Sequence, residues 1–167
     1  MDGSPKGHAA YFEMSFYPNV ELVSTVRRFV LNAYQRLFLD PEIADQVALA
    51  THELLENAVK YSQDDVTHFR VDVVRHQDRG EVIITTKNRA NADDVRNLEQ
   101  NITELRGSDD PFAFYQQKMR EAARREHSGL GLARVRAEAE MEMTCEMSGE
   151  LVVIHARGTY PMRHHDG

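Results

Sequence analysis

The chain has 167 residues, is 41% hydrophobic and 28% charged, and carries a formal net charge of -7. That length suits one domain with a sizeable core, and the negative charge argues against DNA or membrane binding, because phosphates attract a basic surface. One cysteine, Cys145, excludes an internal disulfide and a cysteine zinc site; with neither a long apolar span nor a secretory signal, the chain reads as cytoplasmic.

Residues 1–10 read as a disordered lead. Alternating bulky and smaller residues over 11–17 predict a first strand, which Pro18 and Asn19 interrupt. Asn19 is placed to cap a helix over 20–39, whose apolar positions Leu22, Val23, Val26, Phe29, Val30, Ala33, Tyr34 and Leu37 keep helical spacing. Asp40 and Pro41 end it. Pro41 also suits the first turn of a second helix over 42–61, where its missing N–H costs nothing. A polar turn over 62–65 follows. Strands over 69–74 and 81–86 flank a hairpin connection ending in Gly80. A loop over 87–92 leads to a helix over 93–105, and Gly107 and Pro111 mark a break. Residues 112–126 read as helical and heavily charged. Lys118, Arg120, Arg124 and Arg125 cluster there, either as a solvated face laced with Glu121 and Glu126 or as a functional patch. Glycines at 129 and 131 run into a helix over 133–141. Two last strands cover 142–147 and 151–157. The tail over 161–167, with His164 and His165, reads as loose and too short for a metal site. Strands paired as hairpins with helices apart from them predict an α+β domain: a mostly antiparallel sheet with helices on one face.

Two segments carry chemistry. On the second helix, Glu53, Asn57 and Lys60 recur at i, i+4 and i+7, which puts a carboxylate, a carboxamide and an ammonium in one row. An amide oxygen can ligate Mg²⁺, and a carboxylate can position water or take a proton. A solvated helix face explains the row as well when it is taken alone. Some seventy residues on, Ser128, Gly129, Leu130, Gly131 and Leu132 open a helix. Glycines let backbone approach an anion, and a helix N-terminus offers free N–H groups and positive dipole. The segment is neither a P-loop nor a Rossmann turn.

Together the two motifs resemble the N box and the glycine-rich box of the ATP-binding domain shared by gyrase, the histidine kinases and MutL. The short chain looks most like the stand-alone anti-sigma-factor serine kinases. The resemblance covers roughly 11–157 and implies a two-layer α/β sandwich of the Bergerat type, a single ATP-binding domain over 11–160 with a lid at about 107–127. It implies ATP and Mg²⁺ as cofactors, Asn57 as the metal ligand and Glu53 as the general base. Lys60 would lie near the phosphates; Ser128 and the N–H groups of Gly129, Leu130, Gly131 and Leu132 would hold them, with Arg124 and Arg125 reaching in from the lid. It also implies a protein partner, anti-anti-sigma-like or another signalling protein, and by analogy a homodimer.

One departure stands out. The family reads adenine with Asp-x-Gly-x-Gly, where this chain has Asn88, Ala90 and Ala92. An Asn oxygen still accepts a hydrogen bond but carries no charge, and the change costs on the order of 1 kcal/mol. The metal and phosphate parts are therefore better kept than the base-reading part. Two readings follow: a kinase that binds Mg-ATP and phosphorylates or sequesters a partner, or a non-catalytic pseudokinase-like module acting by contact. A third takes His52, within Thr51, His52 and Glu53, as a phosphoacceptor; that motif belongs on a separate dimeric helical hairpin. It is not a zinc His-Glu-x-x-His either, since position 56 is Glu.

Overall fold

The computed structural model describes residues 7–63, 66–124 and 129–163. The elements run β1 (His8–Phe16), α1 (Val20–Tyr34), α2 (Pro41–Lys60), β2 (Thr67–His76), β3 (Arg79–Arg89), α3 (Ala92–Arg106), α4 (Pro111–Ala122), α5 (Leu130–Glu138), β4 (Glu142–Ser148) and β5 (Leu151–Pro161). The five strands form one antiparallel sheet in the order β1-β2-β3-β5-β4. This is the α+β sandwich that the element order implied.

Alternation along each strand decides the layers. On β3, Val82, Ile84, Thr86 and Asn88 are buried while Lys87 is exposed. In register with them lie Phe69 and Val71 of β2 and Val152, Ile154 and Ala156 of β5. That face packs on the helices. The opposite face carries ionic rows instead, such as Glu13–Arg70–Asp72, in which Arg70 reaches Glu13 at 2.8 Å and Asp72 at 2.6 Å.

Helix α2 is the central support. The Asp40 side chain accepts from the Glu42 N–H at 2.9 Å, and Pro41 occupies the first turn. Ile43, Val47, Ala50, Leu54 and Ala58 fall one below another and are all buried. Each large apolar side chain on that stripe contributes about 1.5–3 kcal/mol by leaving water. The stripe fixes the helix's rotation, which sets Glu53 and Lys60 off to one side and leaves Asn57 at the stripe's edge, beside Asn88, Val152 and Ile154 of the sheet.

Several boundaries differ from the sequence expectation, among them β3, which runs on to Arg89 through part of the expected loop. Helix α1 stops at Tyr34, not at 39, because Phe38 leaves the helix to bridge Met162. Both are almost fully buried, and Arg163 donates to the Phe38 carbonyl at 2.7 Å. Strand β5 therefore runs on to Pro161, and β1 takes in His8–Ala10. The β2–β3 connection is only Gln77 and Asp78, since pairing continues to His76 opposite Arg79. The expectations for Asp64, Asp65, Arg125, Ser128, His164 and His165 fall outside the described residues.

Candidate functional site

Helices α2, α3 and α5 enclose a cleft of about 410 Å³, within the range of small-molecule sites. Glu53, Asn57 and Lys60 line one wall, and Gly129, Leu130, Gly131 and Leu132 line another. The two segments that the sequence singled out thus meet across one space. Gly129 caps α5 at φ 68°, ψ 18°, a left-handed conformation that glycine adopts without strain. The glycine segment is therefore the first turn of α5 and not a loop before it. The Ala133 N–H bonds the Gly129 carbonyl. The N–H groups of Leu130, Gly131 and Leu132 precede that bond and have no intrahelical acceptor.

Gly131 answers to a different constraint. A Cβ built there would come within 2.6 Å of Glu53 Oε2. Only a bare Cα lets the carboxylate rest against the α5 turn. The other oxygen, Glu53 Oε1, accepts from Arg134 at 3.0 Å, and Arg134 also donates to Glu138 at 3.0 Å. Burial works against the Arg134 charge, and the Glu138 and Glu53 carboxylates more than offset it, leaving the guanidinium above its ordinary range. Tyr115 of α4 also lines the cleft; burial first, then the Glu138 charge, raises its phenol.

Helix α3 adds a polar row that sequence reasoning did not weigh: Asp94, Asn97 and Asn101, all lining the cleft. Their spacing was legible; their facing Asn57 was not. Asn91 caps this helix by accepting from the Asp94 N–H at 2.8 Å and donating to the Asp94 carboxylate at 2.6 Å. Asn101 packs so closely on Gly129 that a Cβ there would lie 2.7 Å from its Cγ.

The remaining expected residues lie elsewhere. Asn88 and Ala90 are buried and do not line the cleft. They border a separate recess beside it, shared with Asn57, Tyr61 and Leu98. Ala92 is exposed at the first residue of α3. Arg124 is exposed just past α4 and is not among the cleft residues. Lys118 is buried between acids, 2.7 Å from Glu104 and 3.2 Å from Glu121. Its charge is spent tying α4 to α3. His52 sits 3.8 Å from Glu56 on α2, one residue from the cleft carboxylate.

Fit to the implied cofactor divides in two. The phosphate end offers an amide oxygen on Asn57, a carboxylate on Glu53 and the free N–H groups of α5, the donors that a magnesium-bound phosphate chain calls for. The base end does not fit. The recess bordered by Asn88 and Ala90 measures about 10 Å³, room for roughly one water molecule. Asn88 Nδ2 is turned onto the Arg89 carbonyl at 3.3 Å, and the Ala90 N–H is bonded to the Glu150 carbonyl at 2.8 Å. Among the described residues, those of the cleft included, no three His, Cys, Asp or Glu side chains are grouped to hold a metal ion, and no helix is long and apolar enough to cross a membrane.

Known proteins match this geometry. One chain of the crystal structure of the SiaB–SiaC complex from Pseudomonas aeruginosa superposes with a TM-score of 0.60 at 17% identity, over 92% of this chain and 91% of that one. At such identity the likeness speaks for the fold alone. No curated protein matches. The sequence profile of the histidine kinase-like ATPase domain matches residues 16–149, which include the polar row of α2, the base-end segment and the glycine turn. With that match over most of its length, the chain belongs to the family of histidine kinase-like ATPase domains.

Proposed function

We propose that this protein is a signalling switch of the anti-sigma-factor kinase type, holding a magnesium-bound nucleotide in the α2–α3–α5 cleft and acting on a protein partner. One observation carries the reading: Glu53, Asn57 and Lys60 share a single cleft with Gly129–Leu132. Asn57 is the metal ligand, and the α5 N-terminal N–H groups take the phosphate oxygens. When bound, the magnesium nucleotide supplies the phosphoryl group. Glu53, held through Oε1 by Arg134, keeps Oε2 to accept the proton of an attacking hydroxyl on the partner. The SiaB–SiaC pair is a two-protein assembly, which suits a partner-directed role for a chain of this fold.

A second reading, a module that regulates its partner by contact alone, is favoured by the 10 Å³ recess at Asn88 and Ala90. Isothermal titration with Mg-ATP separates the two. Binding heat at millimolar nucleotide, with phosphate gained by a co-purifying protein, supports the switch kinase; no heat overturns it in favour of the contact regulator.

A further inference from the structure

We infer that the cleft binds its ligand by the magnesium-polyphosphate portion alone and does not discriminate the base: the class of ligand is a magnesium tri- or polyphosphate, with or without a nucleoside attached. The inference rests on the nucleotide reading of the cleft and goes on to name what that cleft recognises.

Three observations converge on it. The recess where a purine belongs has space for about one water, and its wall includes the Ala90 methyl. Ala90 is 3% exposed and its N–H is fixed to Glu150 on the β4–β5 hairpin, so the methyl cannot swing aside without unpicking the sheet end. Asn88, the group that should accept from an adenine amino group, is 5% exposed, is oriented by its Nδ2 donating to the Arg89 carbonyl, and offers only an uncharged oxygen as acceptor. A base pressed there gains neither space nor a charged acceptor at position 88. Specificity of this kind comes from buried polar groups that a wrong ligand leaves unpaired, and the recess offers only the neutral Asn57 and Asn88 amides and Asp94, whose carboxylate is already bonded to Asn91.

The cleft itself keeps its full volume and its phosphate donors. Its charges decide the form of the ligand. Glu53, Glu56 and Asp94 line it against Lys60 and Arg134, and Arg134 is already engaged by Glu53 and Glu138. A bare polyphosphate meets an acidic wall there; one carrying Mg²⁺ does not. Asn57 of α2 and Asn97 and Asn101 of α3 add neutral amides on both sides, able to donate to phosphate oxygens or accept from hydroxyls.

Calorimetric titration of the full chain with sodium tripolyphosphate, ATP, GTP and adenosine, each with and without MgCl₂, tests this. The expected result is that the three triphosphates bind within about threefold of one another, only with Mg²⁺, while adenosine gives no heat. ATP binding tenfold or more tighter than both GTP and tripolyphosphate overturns the inference and leaves the nucleotide cleft standing. Heat from none of the three overturns both. A second arm uses the variant carrying Asn88→Asp and Ala90→Gly, which restores charge and removes the methyl. Its ATP-to-GTP affinity ratio is expected to rise about tenfold over that of the native chain. An unchanged ratio in a folded variant overturns the assignment of discrimination to these two positions.

Discussion

The two ends of the site lie side by side, share Asn57, and differ in almost every physical respect. At the phosphate end, three helices stand apart around about 410 Å³, lined with carboxylates, amides and helix N–H groups. At the base end, β3, β5, the end of α2 and the first half of α3 close to about 10 Å³. The difference comes from what each end is made of. Helix α2 is anchored by its buried stripe and projects its polar row whatever the ligand. The recess closes at Ala90, where the resemblance expects a glycine, while Ala92 stands outside it, exposed at the start of α3. Under the proposed reading, recognition of phosphate would ride on backbone and helix geometry and so would survive substitutions that remove recognition of the base.

Four variants test that contrast, from the strongest effect to the weakest. Glu53→Ala should lower phosphoryl transfer to a partner by about 100-fold or more, the usual share of a general base, while triphosphate affinity stays within about threefold. Retained transfer, followed by radiolabelled phosphate, removes Glu53 from the base role. Asn57→Ala should weaken Mg-triphosphate binding about tenfold, from a lost metal ligand costing on the order of 1.4 kcal/mol; titration at fixed Mg²⁺ reads it directly.

Next comes the tether of α4 to α3, which has no counterpart at the base end. The Lys118 bond holds the Glu104 carboxyl below its usual range. A carboxylate lowered on folding adds stability above its unfolded pKa, and that stability is lost as pH falls through the folded value. Lys118→Met should therefore lower stability by about 1 kcal/mol near neutrality, discounted because Glu104 is 39% exposed. The gap to the native chain should close in acid, as chemical denaturation across pH will show. A constant gap would assign the loss to packing alone. Smallest of all, Asn88→Ala should change triphosphate affinity by less than about threefold, since its amide serves Arg89 and not the cleft. A tenfold loss would return base reading to this end.

Much of this architecture was legible in the sequence because it is local. The i, i+4, i+7 row of Glu53, Asn57 and Lys60 needed only helical periodicity, and the Asn19 cap needed only its own neighbours. What escaped was long-range. Arg134 pairs with Glu138 one turn away, which spacing shows, but its bond to Glu53 spans 81 residues. Lys118 sat in a basic cluster on paper. Its i, i+3 partner Glu121 was visible there and Glu104 on another helix was not. The end of α1 was misplaced for the same reason: only Met162, far along the chain, explains why Phe38 leaves the helix. The Asn88 and Ala90 departure showed in the sequence, but the volume it leaves could be measured only in the fold.

Gly131 brings a conflict of interest into the first turn of α5. Alanine is the better helix former by up to about 1 kcal/mol, and the only obstacle is the tip of a flexible side chain, which can step aside. A lineage selected for robustness alone would accept that methyl, and Glu53 would be displaced from its seat with the scaffold intact. Position 131 is thus a cheap off-switch, one point change from a sturdier molecule with a silenced carboxylate.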